Sequence, residues 1–267
     1  MATGMMPGPM RPLSAADVLH AWELGQRQHA VERMLTLLMF STGAPRSRLA
    51  GLPIGQRDAL LLFLREITLG PQLESSASCP QCSQQVEFRF NAADIRLSGY
   101  PDLQLLAHTD QLAGAFDQHS PISGEFGAYR LIFRLPDSDD LAAIVNAQSI
   151  DEAQRRLLSR CILDARKEDE QIDPADLPSD VLAWLGERIA QADPQGDILI
   201  DLSCPNCDHR WQSIFDISTF FWREIAALSK RLLQDVHTLA TAYSWSEETI
   251  LNMTAVRRQA YLEMVLG

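Results

Sequence analysis

The residues of this chain best suited to chemistry are four cysteines in two short pairs, Cys79-Pro80-Gln81-Cys82 and Cys204-Pro205-Asn206-Cys207. Two cysteines so spaced on a tight turn can both reach one tetrahedral ion, and two such pairs fill the coordination sphere of a Zn²⁺ with sulfur. A sphere closed in this way leaves no position for water or substrate, so one structural zinc per chain is the expected cofactor. The Pro inside each pair suits a turn because its φ is pre-set. The contexts also rhyme, with Ser78 before one pair, Ser203 before the other, and an alternating apolar stretch after each. The position following each pair, often Gly in such turns, is Ser83 or Asp208. Asp tolerates the left-handed conformation better than Ser, so the first turn is the less comfortable one.

The separation of the pairs is unusual. A compact zinc ribbon places its knuckles about 15 to 20 residues apart, whereas residues 83–203 intervene here. The favoured reading is a ribbon split by an insertion; two independent pairs are the alternative. His209 could compete as a ligand, but four cysteines make it unnecessary. Redox chemistry is the other use of such pairs. It calls for one CxxC at a helix start, and these pairs sit between strands.

The other candidates have plainer explanations. Cys161, in Leu157-Leu158-Ser159-Arg160-Cys161-Ile162-Leu163, falls in a helical apolar pattern and reads as a buried core thiol. Asp137, Asp139 and Asp140 follow a strand and precede a helix, which suggests capping and solvation. Glu168-Asp169-Glu170 reads as a solvated helix end, and His237 as a helix-surface imidazole. No HExxH, GxSxG, GxGxxG or P-loop run is present, so an enzyme reading has no motif and no small-molecule substrate is expected.

The elements that must position the cysteines are legible from periodicity. Ser14 and Asp17 suggest a capping box opening a first helix. A second helix is expected from about Gln28 to Phe40 and a third after Gly55. Val86, Phe88 and Phe90 alternate with charged residues as a half-buried strand, and Tyr129–Leu135 is a second strand candidate. Helix is expected from about Asp139 to Lys167 and again from Val181 to Gln191. Ile198, Ile200 and Leu202 alternate into the second knuckle; Trp211, Ser213 and Phe215 alternate out of it. Phe221, Ile225, Leu228, Leu232, Val236 and Leu239 form one helical stripe, followed by helices capped by Ser246 and Thr254. The aromatics at 211, 215, 220, 221 and 222 are first of all core, with a partner-facing seam as a further reading.

These elements predict an α+β, mainly helical fold: a split four-cysteine zinc ribbon with a helical insertion and helical N- and C-terminal arms. Residues 1–12 are expected to be a disordered tail, 13–72 the N-terminal arm and 73–136 the first half of the ribbon with strands. Residues 137–195 are then the helical insertion, 196–218 the second half of the ribbon and 219–267 the C-terminal arm.

Composition narrows the partners. In 267 residues, 23 Lys and Arg face 35 Asp and Glu, for a formal charge of −12. That balance opposes nucleic acid, whose phosphates demand a basic face. Five cysteines and the lack of a signal-like N-terminus oppose a disulfide framework. The longest apolar runs fall far short of the roughly 20 residues that cross a bilayer, so no membrane anchor is expected.

Three segments carry a family resemblance. They are Ile54–Glu66 leading through Gly70-Pro71 to the first knuckle, Leu202–Trp211 continuing through Phe215-Asp216-Ile217 to Phe221–Ile225, and Asp235–Leu251 followed by Arg257–Leu262. Together they resemble the baseplate hub assembly chaperones, or hub subunits, of T-even-type contractile phage tails and of related bacterial contractile injection systems. The resemblance implies a non-enzymatic structural or assembly role. Its partners would be other baseplate or hub proteins, and it would act in the bacterial cytoplasm during assembly, with retention in the finished particle left open. A zinc-ribbon adaptor in transcription or RNA handling is the alternative, and would need a basic face on the ribbon.

Overall fold

Ser14 accepts a hydrogen bond from the Asp17 amide, and the Asp17 carboxylate accepts one from the Ser14 amide. This reciprocal cap starts α1 (Ala15–Gly25) in a computed structural model that describes residues 10–97, 120–168 and 170–267. Residues 1–9 of the expected tail lie outside the described residues. Residues 10–12 are packed, with Met10 5 % exposed and the Arg11 amide donating to Ser41 O.

α2 (Ala30–Thr42), a short α3 (Arg46–Ala50) and α4 (Ile54–Leu69) complete the N-terminal helices. In α4, Leu60, Leu61, Leu62 and Leu64 are all fully buried, so this helix is enclosed on nearly every side. The chain then forms a hairpin of β1 (Gln72–Ser78) and β2 (Gln85–Asn91), closed by the one-turn α5 (Ala92–Ile95).

The middle of the chain departs from the expected helical insertion. β3 (Ile122–Phe126), β4 (Tyr129–Phe133), β5 (Ile162–Lys167) and β6 (Glu170–Gln171) make an antiparallel sheet in that order. α6 (Ser138–Ile144), α7 (Ile150–Cys161) and α8 (Ser179–Ala192) accompany it. Residues 162–167, expected as helix, are extended because β4 pairs with them and lays Leu131 against Ala165. The Tyr129 strand therefore belongs to this sheet and makes no ladder with the cysteine hairpins. Glu168, at φ 58°, follows β5 and Glu170 opens β6, so neither ends a helix; Asp169 of that expected helix end lies outside the described residues. This module has its own core of Leu131, Phe133, Leu158, Val181 and Leu185.

Asp140 is in part a correction. Asp137 caps α6 as expected and Asp140 closes the capping box, accepting from the Asp137 amide at 3.1 Å, but Asp140 is fully buried instead of solvated, accepting also from Arg134 at 2.6 and 3.0 Å and from Arg160 at 2.8 Å. A buried carboxylate needs such partners to offset its desolvation. Two backbone amides, Ile54 N–H donating to Pro136 O at 3.1 Å and Gly55 N–H donating to the Asp193 carboxylate at 2.8 Å, seat the module on the start of α4.

A second hairpin, β7 (Leu199–Ser203) and β8 (Arg210–Ile214), leads into the long α9 (Ile217–Tyr243). Phe221, Ile225 and Leu232 of its apolar stripe join the core of α1, α2 and α4. Arg65 of α4 makes a two-pronged ion pair with Glu224 of α9 at 2.9 and 2.7 Å and donates to Gly70 O at 2.7 Å. α10 (Glu247–Leu251) and α11 (Ala255–Leu266) start at caps Ser246 and Thr254, as the sequence predicts, and Arg258 of α11 pairs with Asp235 of α9. Among the described residues no helix is long and apolar enough to cross a membrane.

Gly25, the last residue of α1, lies against the rim of the Trp222 ring, so close that an added Cβ would fall 2.1 Å from Cη2. Arg33 stacks over that ring, 4.9 Å from its centroid, and donates to Gly25 O. Helix propensity alone favours Ala over Gly, whereas the overlap costs about 1–3 kcal/mol. Gly25→Ala is therefore expected to destabilise the protein in a denaturant titration; an unchanged or raised midpoint would show that Trp222 gives way freely.

Candidate metal centre

Each cysteine pair occupies the tip of a hairpin. At the first tip the Cys79 amide donates to Gln84 O and the Ser83 amide to Cys79 O, both at 2.9 Å. At the second tip Cys204 donates to His209 O and Asp208 to Cys204 O, again at 2.9 Å. The turns close through left-handed residues, Ser83 at φ 60° and Asp208 at φ 55°. The positions singled out in the sequence are thus the ones that bear the backbone strain.

The likeness extends beyond the tips. Leu73 pairs with Phe90 in the first hairpin, and in the second Phe215 donates to Ile198 O at the same distance from the cysteines. Leu73 and Ile198 are buried, and Phe90 and Phe215 meet edge to face at 5.2 Å. Asn91 and Asp216 then cap the helix that follows each hairpin. Sequence reading recognised only the paired knuckles. β1 escaped it because Gln72-Leu73-Glu74-Ser75-Ser76-Ala77-Ser78 has one large apolar residue and so almost no alternation to detect. The signal was available in the matched offsets of Leu73 and Ile198, and of Phe90 and Phe215, from their cysteines.

All four cysteine sulfurs lie within 4.8 Å of one another. Cys79 Sγ is 3.7 Å from Cys207 Sγ, and Cys82 Sγ is 3.6 Å from Cys204 Sγ. A tetrahedron with Zn–S bonds of about 2.3 Å has S···S edges of about 3.8 Å, whereas a disulfide needs about 2.05 Å. The four free thiols therefore fit a tetrahedral ion. Cys79 and Cys204 are 1 % exposed and pack with Val86 and Trp211, while Cys82 and Cys207 lie nearer solvent. His209 stacks beside Trp211 instead of joining the sulfur cluster.

The two more exposed thiols are shifted in opposite directions. The Gln84 amide, with help from Asn206, holds Cys82 down at about 6. At Cys207 the His209 amide acts downward, but burial and the sulfurs of Cys82, Cys79 and Cys204 prevail and push it up to about 12. Thiolates this close repel one another, so one ionises readily and its neighbour resists. A divalent cation reverses that repulsion and favours the thiolates together.

Two other polar sites are structural. Cys161 is buried at the end of α7, where burial pushes its thiol up to about 12, as expected of an inert core residue. Asp58 is pushed up to about 6 by burial against the opposing pull of Arg57, with Asp216 and Asp193 adding repulsion. Arg57 bridges Asp58 and Ser138, so this cluster forms part of the seam between α4 and the middle module. The capping aspartates and exposed His237 likewise stay apart from the sulfur cluster.

A family model described as T4 bacteriophage base plate protein matches residues 16–222, a span containing both knuckles and the whole middle module. The last of the three resembling segments, from Asp235 onward, lies beyond that span. No curated protein and no solved structure matches the chain.

The left-handed turn at Ser83 makes a specific demand. Ser83→Val places a β-branched residue at positive φ and should cost about 1–2 kcal/mol or more, whereas Ser83→Gly should leave stability within about 1 kcal/mol of wild type. Denaturant midpoints of the two variants check this, and equal losses in both would assign the effect to a lost serine contact.

Proposed function

The chain belongs to the T4 bacteriophage base plate protein family, and from that premise we propose that it serves as a non-enzymatic structural or assembly-chaperone protein of the baseplate hub of a contractile phage tail or phage-like injection system. The observation that carries this reading is the family match over residues 16–222, most of the chain and both cysteine hairpins. The sheath and tube of such a machine grow from a baseplate whose subunits recognise one another. A protein of this kind needs a fixed shape more than it needs a reaction. Other baseplate or hub proteins are its partners; nucleic acid, membrane and small-molecule substrate play no part in the reading.

Within that role Cys79, Cys82, Cys204 and Cys207 hold one structural Zn²⁺, making the two hairpins the halves of a split ribbon. Supporting this are the sulfur spacing, the repeated turn hydrogen bonds and the capacity of a cation to stabilise thiolates that otherwise repel. The ion would supply no reactive chemistry, because four sulfurs close its sphere. Its effect is on folding, through residues that belong to opposite ends of the chain.

Two outcomes are expected. Protein purified without chelator contains one zinc per chain by elemental analysis, and Cys204→Ser loses both the metal and a large part of the stability, on the order of several kcal/mol; a variant that melts with wild type and keeps its zinc would overturn the split ribbon. Particles assembled without the gene lack complete baseplates by electron microscopy. Intact baseplates in its absence would overturn the assembly role.

A further inference from the structure

The two hairpins provide an internal comparison, because they share register and turn geometry, with Leu73 and Phe90 matched by Ile198 and Phe215 on the inward side. Their outward faces differ. At one cross-strand position the first hairpin carries the exposed ion pair Glu74–Arg89, with 3.0 Å between charged atoms. The matching position of the second hairpin carries Leu199 opposite Ile214, 49 % and 72 % exposed. A cross-strand apolar pair facing water gains little from its own fold, since the same register is satisfied by charges in the first hairpin.

The surroundings differ in the same direction. The outward positions near the first hairpin's ion pair are Gln72, Ser76, Asn91 and a single carboxylate, Glu87, whereas their counterparts around Leu199 and Ile214 are Asp197, Asp201, Asp216 and the uncharged Gln212, all exposed. Arg210 is outward too, but at the far end of the hairpin, paired with Ser203 beside the knuckle. An apolar centre ringed by carboxylates recognises an apolar side chain flanked by Lys or Arg. It also disfavours a second copy of the same face, which would set like charges opposite each other.

We propose that the outward face of β7 and β8, centred on Leu199 and Ile214, is a docking surface for a baseplate protein that presents an apolar side chain with basic neighbours. The inference rests on the baseplate reading above and specifies the surface and the chemistry of the partner. The acidic excess of the whole chain, −12, works in the same direction by attracting a basic partner surface from a distance.

The experiment transplants the first hairpin's pair onto the second. Leu199→Glu with Ile214→Arg should fold normally and retain zinc, because that pair is already accommodated at the equivalent register. Each baseplate protein encoded alongside this chain is purified and its affinity measured for wild type, for the transplant, and for Asp197→Asn with Asp201→Asn. Wild type is expected to bind one of them with an affinity that falls as salt rises. The transplant should bind about tenfold or more weakly at unchanged melting temperature and metal content, and the Asn variant should show a flatter salt dependence. If wild type binds and the folded transplant binds equally well, the surface assignment is overturned while the baseplate reading stands. If no baseplate protein binds wild type, both fall. A wild-type dimer that the transplant abolishes would assign the face to self-association and overturn the basic partner.

Discussion

Four sulfurs from two hairpins meet within 4.8 Å, and the arrangement of the rest of the chain follows from that meeting. The hairpins belong to separate two-stranded sheets, with no ladder between them. A lone two-stranded hairpin is marginal in water, so each needs support from outside itself. Part of it is apolar: Leu73, Ile198 and Phe215 belong to the helical core, with Phe90 packed against it. At the tips, however, the contact centres on thiols, with Val86 and Trp211 packed beside them. Without a cation their proximity is a source of repulsion; with one it becomes the joint between the hairpins. That is why the proposed zinc is tied to shape and not to reaction.

The helices are organised around the same joint. α4 runs directly into β1, and β8 runs directly into α9, so each hairpin fixes the exit or entry of a major core helix. The Arg65–Glu224 pair then holds those helices in one relative position, and the Gly25–Trp222 contact sets α1 against α9. The middle module is placed differently, through its own sheet and core and through the seam in which Asp193 and Ser138 meet Gly55 and Arg57 at the start of α4. Between the two knuckles the chain builds this second layer without disturbing the sulfur cluster.

Much of this was legible in the sequence. The cysteine pairs, the capping residues Ser14, Ser246 and Thr254, and the stripe of α9 all depend on local spacing, and local spacing is what periodicity detects. The failures have physical causes of another kind. Ile162–Lys167 is a strand because β4 lies beside it, and its mixture of Ile, Leu, Asp, Ala, Arg and Lys is compatible with either state. For Asp140 the sequence shows the cap but not the burial, because nothing local reveals that Arg134 and Arg160 converge on it. The strand β1 was hidden by its serines, although the offset it shares with β7 relative to the cysteines would have revealed it.

The central claim is that one ion is shared by all four cysteines of two distant hairpins. X-ray absorption at the zinc edge of the purified full-length protein tests it most directly. The account predicts a first shell of four sulfurs at about 2.3 Å with no lighter ligand. A shell of mixed sulfur and nitrogen or oxygen, as two sulfurs supplemented by solvent or histidine would give, would contradict it.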